Sequence, residues 1–240
     1  MGIDLCKRNG HTHVSFNNNH ERRIDTSIQE SITWKNTKGM QSCSLLIRHR
    51  SNDKIDGNPF IYALKKLNDC KIDRISLLTI SKNAEENLNT AISGKDYDLI
   101  IIIPSSSKIG HIIAKRIKNK ISNAIIGAKI FRKNFNHEII QQIESQEIKE
   151  KDHKQISILL SSLHKAKKHQ FALKKVPRGI REYCNPLSVK DNKLITEYNN
   201  ILLVDDTVSS GTTLYNAKQI IHSFNPNASI EVISLLGTIH

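Results

Sequence analysis

Residues 200 to 214 read Asn-Ile-Leu-Leu-Val-Asp-Asp-Thr-Val-Ser-Ser-Gly-Thr-Thr-Leu. Ile201 to Val204 form a short apolar run, the mark of a strand buried in a parallel sheet. Two carboxylates, Asp205 and Asp206, are expected where that strand ends. A small, hydroxyl-rich turn follows from Thr207 to Thr213, with Gly211 inside it. Leu214, Ala217, Ile220 and Ile221 then recur at helical spacing, so a helix is expected from near Thr212. A strand, an acidic pair, a small-residue turn and a helix together describe a ligand site at the carboxyl end of a strand. The free N–H groups of the turn and the helix N-terminus suit a phosphate. An acidic pair beside an anion cradle is consistent with a sugar phosphate: carboxylates accept hydrogen bonds from ribose hydroxyls, or hold Mg²⁺. An ordinary strand-to-helix turn of a doubly wound sheet is the plainer alternative.

Over the thirteen positions 201–213 the chain resembles the type I phosphoribosyltransferases. Their signature is a hydrophobic strand, Asp-Asp or Glu-Asp, two variable residues and a Ser/Thr-Gly-x-Thr turn, matched here by Ile201-Leu202-Leu203-Val204-Asp205-Asp206-Thr207-Val208-Ser209-Ser210-Gly211-Thr212-Thr213. The resemblance implies that Asp205 and Asp206 contact the ribose of phosphoribosyl pyrophosphate (PRPP), with Mg²⁺ held directly or through water. It also implies that Thr207, Val208, Ser209, Ser210, Gly211, Thr212 and Thr213 cradle the 5′-phosphate.

A second unit of the same kind precedes it. Asp98 to Ile103 is the strongest apolar run in the sequence and reads as a strand buried on both faces. Pro104-Ser105-Ser106-Ser107-Lys108 ends it, and Ile109, Ile112, Ile113, Arg116 and Ile117 continue at helical spacing. In the resembled family the corresponding loop meets the pyrophosphate, a role that falls on Ser105, Ser106, Ser107 and Lys108 by placement and chemistry. The plainer reading is a simple strand-to-helix connection. Gln170 to Val189, punctuated by Pro177, Gly179 and Pro186, reads as a mobile loop that would close over the site. Its cations Arg178 and Arg181 are further candidates for the pyrophosphate, beside Lys174 and Lys175. The spacing Gln170-x-x-Leu173-x-x-x-x-Arg178 is similar to the ComF-like branch, but that branch has Asn where Arg181 stands, and Asn185 comes later.

Elsewhere, Met1 to Gly39 is polar without periodicity and reads as an irregular or mobile arm. Strands are expected at Cys43–Arg48, Ile75–Ile80, Ile125–Phe131 and Ser229–Leu236. Asp56-Gly57-Asn58-Pro59 reads as a turn opening a helix that carries Phe60, Leu64 and Leu67. Further helices are expected over 83–92, 138–151 and 152–169. The chain reaches His240 soon after its last strand, so an acceptor-binding hood would come from the first 90 or so residues or from the 138–190 insertion, an inference from chain topology.

Composition bounds the alternatives. With 240 residues, 38% of them hydrophobic, the chain can bury a real core. No apolar run approaches the roughly 20 residues of a membrane helix, and no signal-peptide core opens the chain, so a cytoplasmic location without membrane contact is expected. Cys6, Cys43, Cys70 and Cys184 lie far apart and read as free thiols. No Walker A, GxGxxG, HExxH or GxSxG pattern occurs. The net charge is +13, and acidic residues are absent from Leu99 to His137 and from His153 to Arg181. A polyphosphate substrate, nucleic acid and a merely solvated lysine-rich surface all agree with that.

The expected fold is α/β, a doubly wound and mainly parallel sheet of the type I phosphoribosyltransferase kind with an N-terminal α/β elaboration. Residues 1–39 form the arm, 40–94 the elaboration and 95–240 the core, with a helical insertion and flexible loop at 138–190. The activity implied by the resemblance is transfer of a phosphoribosyl group from PRPP to a nitrogen acceptor, with a homodimer possible as in many relatives. The alternative on the same fold is a PRPP- or nucleotide-sensing protein associated with nucleic acid, as in DNA uptake or phage defence.

Overall fold

In a computed structural model, residues 1–49 and 58–238 are described. The expected Asp56-Gly57 turn lies outside them.

The chain begins as a hairpin, β1 (Gly2–Arg8) and β2 (His11–Asn17), paired antiparallel with Arg8 opposite His11. Its two-residue loop is Asn9-Gly10, with φ of 50° and 76°. Both values lie in the left-handed region, the geometry of the tight hairpin turns that Asn-Gly favours. Residues 1–39 are therefore not an irregular arm. Short strands β3 (Ile24–Asp25) and β4 (Lys35–Thr37) follow, and a second two-residue loop, Lys38-Gly39, turns β4 back into β5 (Met40–Arg48).

Helix α1 (Asn58–Lys65) and strand β6 (Cys70–Ile72) come next, β6 joining β2 in a small three-stranded sheet. The strand expected at Ile75–Ile80 is instead the first part of a long helix, α2 (Arg74–Ile92). Its start is fixed by Asp73, whose carboxylate accepts from the Ser76 N–H at 2.8 Å and the Ser76 hydroxyl at 2.6 Å. Ile75 and Leu78 of that apolar run are exposed, while Ile80, Ala84, Leu88 and Ala91 are buried along one helical face.

The remaining elements are β7 (Leu99–Ile102), α3 (Ile109–Lys120), β8 (Ile125–Gly127), β9 (Phe131–Lys133), α4 (Asn136–Glu144), α5 (His153–His164), β10 (Leu187–Val189), α6 (Lys193–Glu197), β11 (Asn200–Val208), α7 (Thr212–Phe224) and β12 (Ser229–Thr238). The main sheet runs β3-β5-β12-β11-β7-β8, with β4 also on β5. Every pairing from β5 to β8 is parallel, and only the short β3 and β4 run antiparallel. The architecture is thus α/β, a mixed and mostly parallel sheet flanked by helices.

Period-two alternation splits the apolar strands between two cores. Ile100, Ile102, Leu202, Val204 and Ile233 pack with α1, α2 and α3, whereas Leu99, Ile101, Ile201, Leu203 and Val232 pack with α6 and α7. This is why β7 and β11 read as unbroken apolar runs: both faces are covered.

The stretch expected to be one strand, Ile125–Phe131, is two. β8 stays in the main sheet, and β9 pairs antiparallel with β10 as a separate ribbon. That ribbon carries a helical subdomain in which α4 and α5 pack with Phe171, Val176, Ile180, Tyr183 and Cys184. Segment 170–184 is consequently not an open loop: Phe171, Val176, Ile180, Tyr183 and Cys184 are buried and its backbone forms short 3₁₀ turns at Leu173–Lys175 and Arg178–Tyr183. All four cysteines are free thiols. Among the described residues no helix is long and apolar enough to cross a membrane.

Candidate functional site

Strand β11 extends through Val208, four residues past the expected apolar run Ile201–Val204, with Thr207 opposite Leu236 and Val208 opposite Gly237. The acidic pair therefore sits inside the strand, and alternation sends its two members to opposite faces. Asp205 shares its face with Thr207, and both line a cavity of about 190 Å³. All seven residues from Thr207 to Thr213 line that cavity, joined by Lys174 and Arg181. The turn is compact because Gly211 adopts φ 67°, and a Cβ there would stand 2.7 Å from Thr37 Cγ2. Helix α7 starts at Thr212, as expected, and its first turn holds no acidic side chain that would oppose an anion. The Thr207 hydroxyl is buried without a hydrogen-bond partner among the described residues, a cost that a bound acceptor group would remove.

Asp206 points the other way. Its Oδ2 accepts from Lys65 Nζ at 2.7 Å, from the Ser107 hydroxyl at 3.0 Å and from the Ser105 hydroxyl. Two of the four loop residues expected at the pyrophosphate are thus brought to the acidic pair. Ser106 and Lys108 are exposed. Arg181 reaches the 207–213 turn instead, donating to Ser210 Oγ at 3.4 Å while its Nε is held by the Val176 carbonyl at 2.9 Å. Arg178 is exposed.

The two carboxylates are electrostatically unequal. Burial, followed by the neighbouring Asp206 charge, pushes Asp205 up to about 7. Burial also acts to raise Asp206, but Lys65 and the Ser105 and Ser107 hydroxyls outweigh it and hold Asp206 below the usual carboxylate range. Lys133, at the end of β9, is lowered chiefly by burial, with Asp206 acting against that shift. The site is therefore a carboxylate pair surrounded by cations from three other elements.

The donor set does not suit a hard divalent ion at Asp206, because an ammonium group already neutralises that carboxylate. Elsewhere, Glu21, Asp25 and His49 bring ligand-type atoms within 4.8 Å of one another, far along the chain from the acidic pair.

Lys65 had no sequence signal. It stands on α1, well before the motif, and nothing about its spacing marks it. Lys133 was visible only as a charge at a strand end.

A second cavity, of about 200 Å³, adjoins the first and shares Val208 and Ser209 with it. It is lined by residues along β5 and at the carboxyl end of β12, with small polar groups such as Thr37, Ser42, Ser44 and Thr238 beside Cys43 and Ile47. Gln29 also lines it, and its buried Nε2 lacks a partner among the described residues.

Neither a family model nor a curated protein matches this chain.

Proposed function

We propose that the chain is a type I phosphoribosyltransferase in fold and activity, binding PRPP and transferring its phosphoribosyl group to a nitrogen acceptor. The observation that carries this reading is the convergence of two adjacent strand ends. The loop after β7 and the acidic pair of β11 meet at Asp206, while the whole 207–213 turn frames one cavity beside Asp205. In this reading the turn and Arg181 hold the 5′-phosphate, and the ribose lies over Asp205. The acceptor ring enters the adjoining cavity, where Gln29 Nε2 supplies a donor. That volume is somewhat above the roughly 150 Å³ that admits one benzene-sized ring.

The reaction forms a bond from the acceptor nitrogen to the anomeric carbon and breaks the bond to the pyrophosphate oxygen, which leaves with the electron pair. Positive charge develops on the sugar and negative charge on the leaving group. Asp205, ionised above about pH 7, faces the first. Lys65 and Lys133 face the second. Catalysis of this kind depends on position and charge rather than on a protein nucleophile.

The test is a thermal-shift panel of PRPP, ribose 5-phosphate and inorganic phosphate, followed by a nucleobase screen for pyrophosphate release. The reading expects stabilisation in that order, PRPP most. Equal or absent shifts across the panel would count against it.

A second reading has its own observation. From His153 to Arg181 there is no acidic residue, and Lys154, Lys165, Lys167, Lys168, Lys174, Lys175 and Arg178 are all exposed. A nucleic-acid-associated sensor on the same fold would use that surface. Oligonucleotide binding that weakens steeply with salt supports it, and no binding at low salt rejects it.

A further inference from the structure

Asp206 is where a divalent ion would be sought in a sugar-pyrophosphate site, yet its surroundings are arranged for a different counter-ion. One carboxylate oxygen takes the Lys65 ammonium at 2.7 Å together with the hydroxyls of Ser105 and Ser107. The lysine side chain is 17% exposed and the carboxylate 8%, so solvent screens the pair only weakly. A magnesium ion requires near-octahedral oxygens, and here it would also meet a fixed positive charge at short range in a poorly screened pocket. Lys65 has three N–H donors and uses one on Asp206. Lys133 is half-buried and has no ion pair of its own among the described residues.

We propose that this site binds its pyrophosphorylated sugar without a divalent ion, Lys65 and Lys133 supplying in fixed form the positive charge that a metal would bring. The inference rests on the phosphoribosyl reading given above. It explains why two lysines from separate elements, α1 and β9, stand beside an acidic pair that already has its own hydrogen bonds.

The test is calorimetric titration of the full chain with PRPP in EDTA and again in excess Mg²⁺. Dissociation constants agreeing within about threefold are expected. Lys65→Met and Lys133→Met should each weaken binding about tenfold or more in EDTA, with part of the loss restored by Mg²⁺. Lys133→Met breaks no ion pair among the described residues and so separates charge supply from folding, which Lys65→Met alone does not. Wild-type binding that requires Mg²⁺ overturns the inference while leaving the phosphoribosyl reading intact, as does unchanged affinity of both variants in EDTA. No binding in either buffer overturns the reading and the inference with it.

Discussion

Replacing Asp205 by Asn should stabilise the protein above neutral pH. The carboxyl moves from an ordinary 3.8 to about 7, chiefly through burial and then through the charge on Asp206. That displacement corresponds to a penalty of about 4 kcal/mol for the ionised form. The side chain is partly open to the cavity framed by the 207–213 turn, so roughly half of this, about 2 kcal/mol, is the expected net effect. The folded value lies above the unfolded one, so the folded chain holds this proton more tightly. Below pH 3.8 the penalty is absent; it grows as pH rises and is complete above about 7. Asn keeps the local geometry, since its Oδ1 can still accept the Asp206 N–H that Asp205 accepts at 2.7 Å. For a chain of this length the Asn variant should melt about 4–8 °C higher at pH 8. At pH 5 the gap should fall to about a third of that, because wild-type Asp205 is then largely protonated in the fold. Thermal unfolding of both proteins at the two pH values reads this directly. An unchanged or lower melting temperature at pH 8, or a gap that widens toward pH 5, would refute the electrostatic argument. A gain in stability here would also identify a residue kept charged at the expense of the fold.

Three further substitutions probe separate parts of the account. Gly211→Ala forces a left-handed backbone on a side chain whose Cβ meets Thr37 at 2.7 Å; chemical denaturation should show a loss of about 1–2 kcal/mol, with weaker ribose 5-phosphate binding. Thr207→Val replaces a buried hydroxyl that lacks a partner among the described residues with a methyl group. Stability should hold or rise by about 1 kcal/mol, while affinity for a phosphate ligand falls, and equal affinity in a titration would remove Thr207 from the cradle. Ile180→Ala empties a position with no exposure in the α4–α5 subdomain. It should cost about 2–5 kcal/mol and open 170–184 to limited proteolysis that spares the wild type.

Legibility in the sequence followed the range of the forces involved. The strand–turn–helix unit at 201–224 was readable because its strand, its glycine and its helix are adjacent in the chain, and the apolar runs of β7 and β11 were readable because both faces are buried. The errors arose where a local signal was misjudged or a distant partner decided. Ile75–Ile80 resembles a strand until Asp73 is recognised as a helix cap. The hairpin at residues 2–17 was signalled by Asn9-Gly10, but the polar strands around it hid the alternation. Segment 170–184 carries Pro and Gly like a loop, yet Phe171, Val176, Ile180 and Tyr183 find α4 and α5, a tertiary effect that no local pattern states. Within the site, Ser105 and Ser107 were singled out through the family resemblance and the placement of their loop, and they meet Asp206 because that loop follows β7, the strand beside β11. Lys65 escaped because it reaches Asp206 across 141 positions of sequence, from a helix with no motif (206 minus 65).

The central claim is that a phosphorylated ribose binds at the acidic pair of β11, its ribose over Asp205 and its phosphate in the turn that follows the strand. Its most direct test is a calorimetric titration with PRPP of the wild type beside the Asp205→Asn/Asp206→Asn variant, with circular dichroism to verify that both are folded. The account predicts a saturable heat for the wild type and an affinity lower by about tenfold or more in the folded variant. Absence of binding by the wild type, or equal binding by the two proteins, would contradict it.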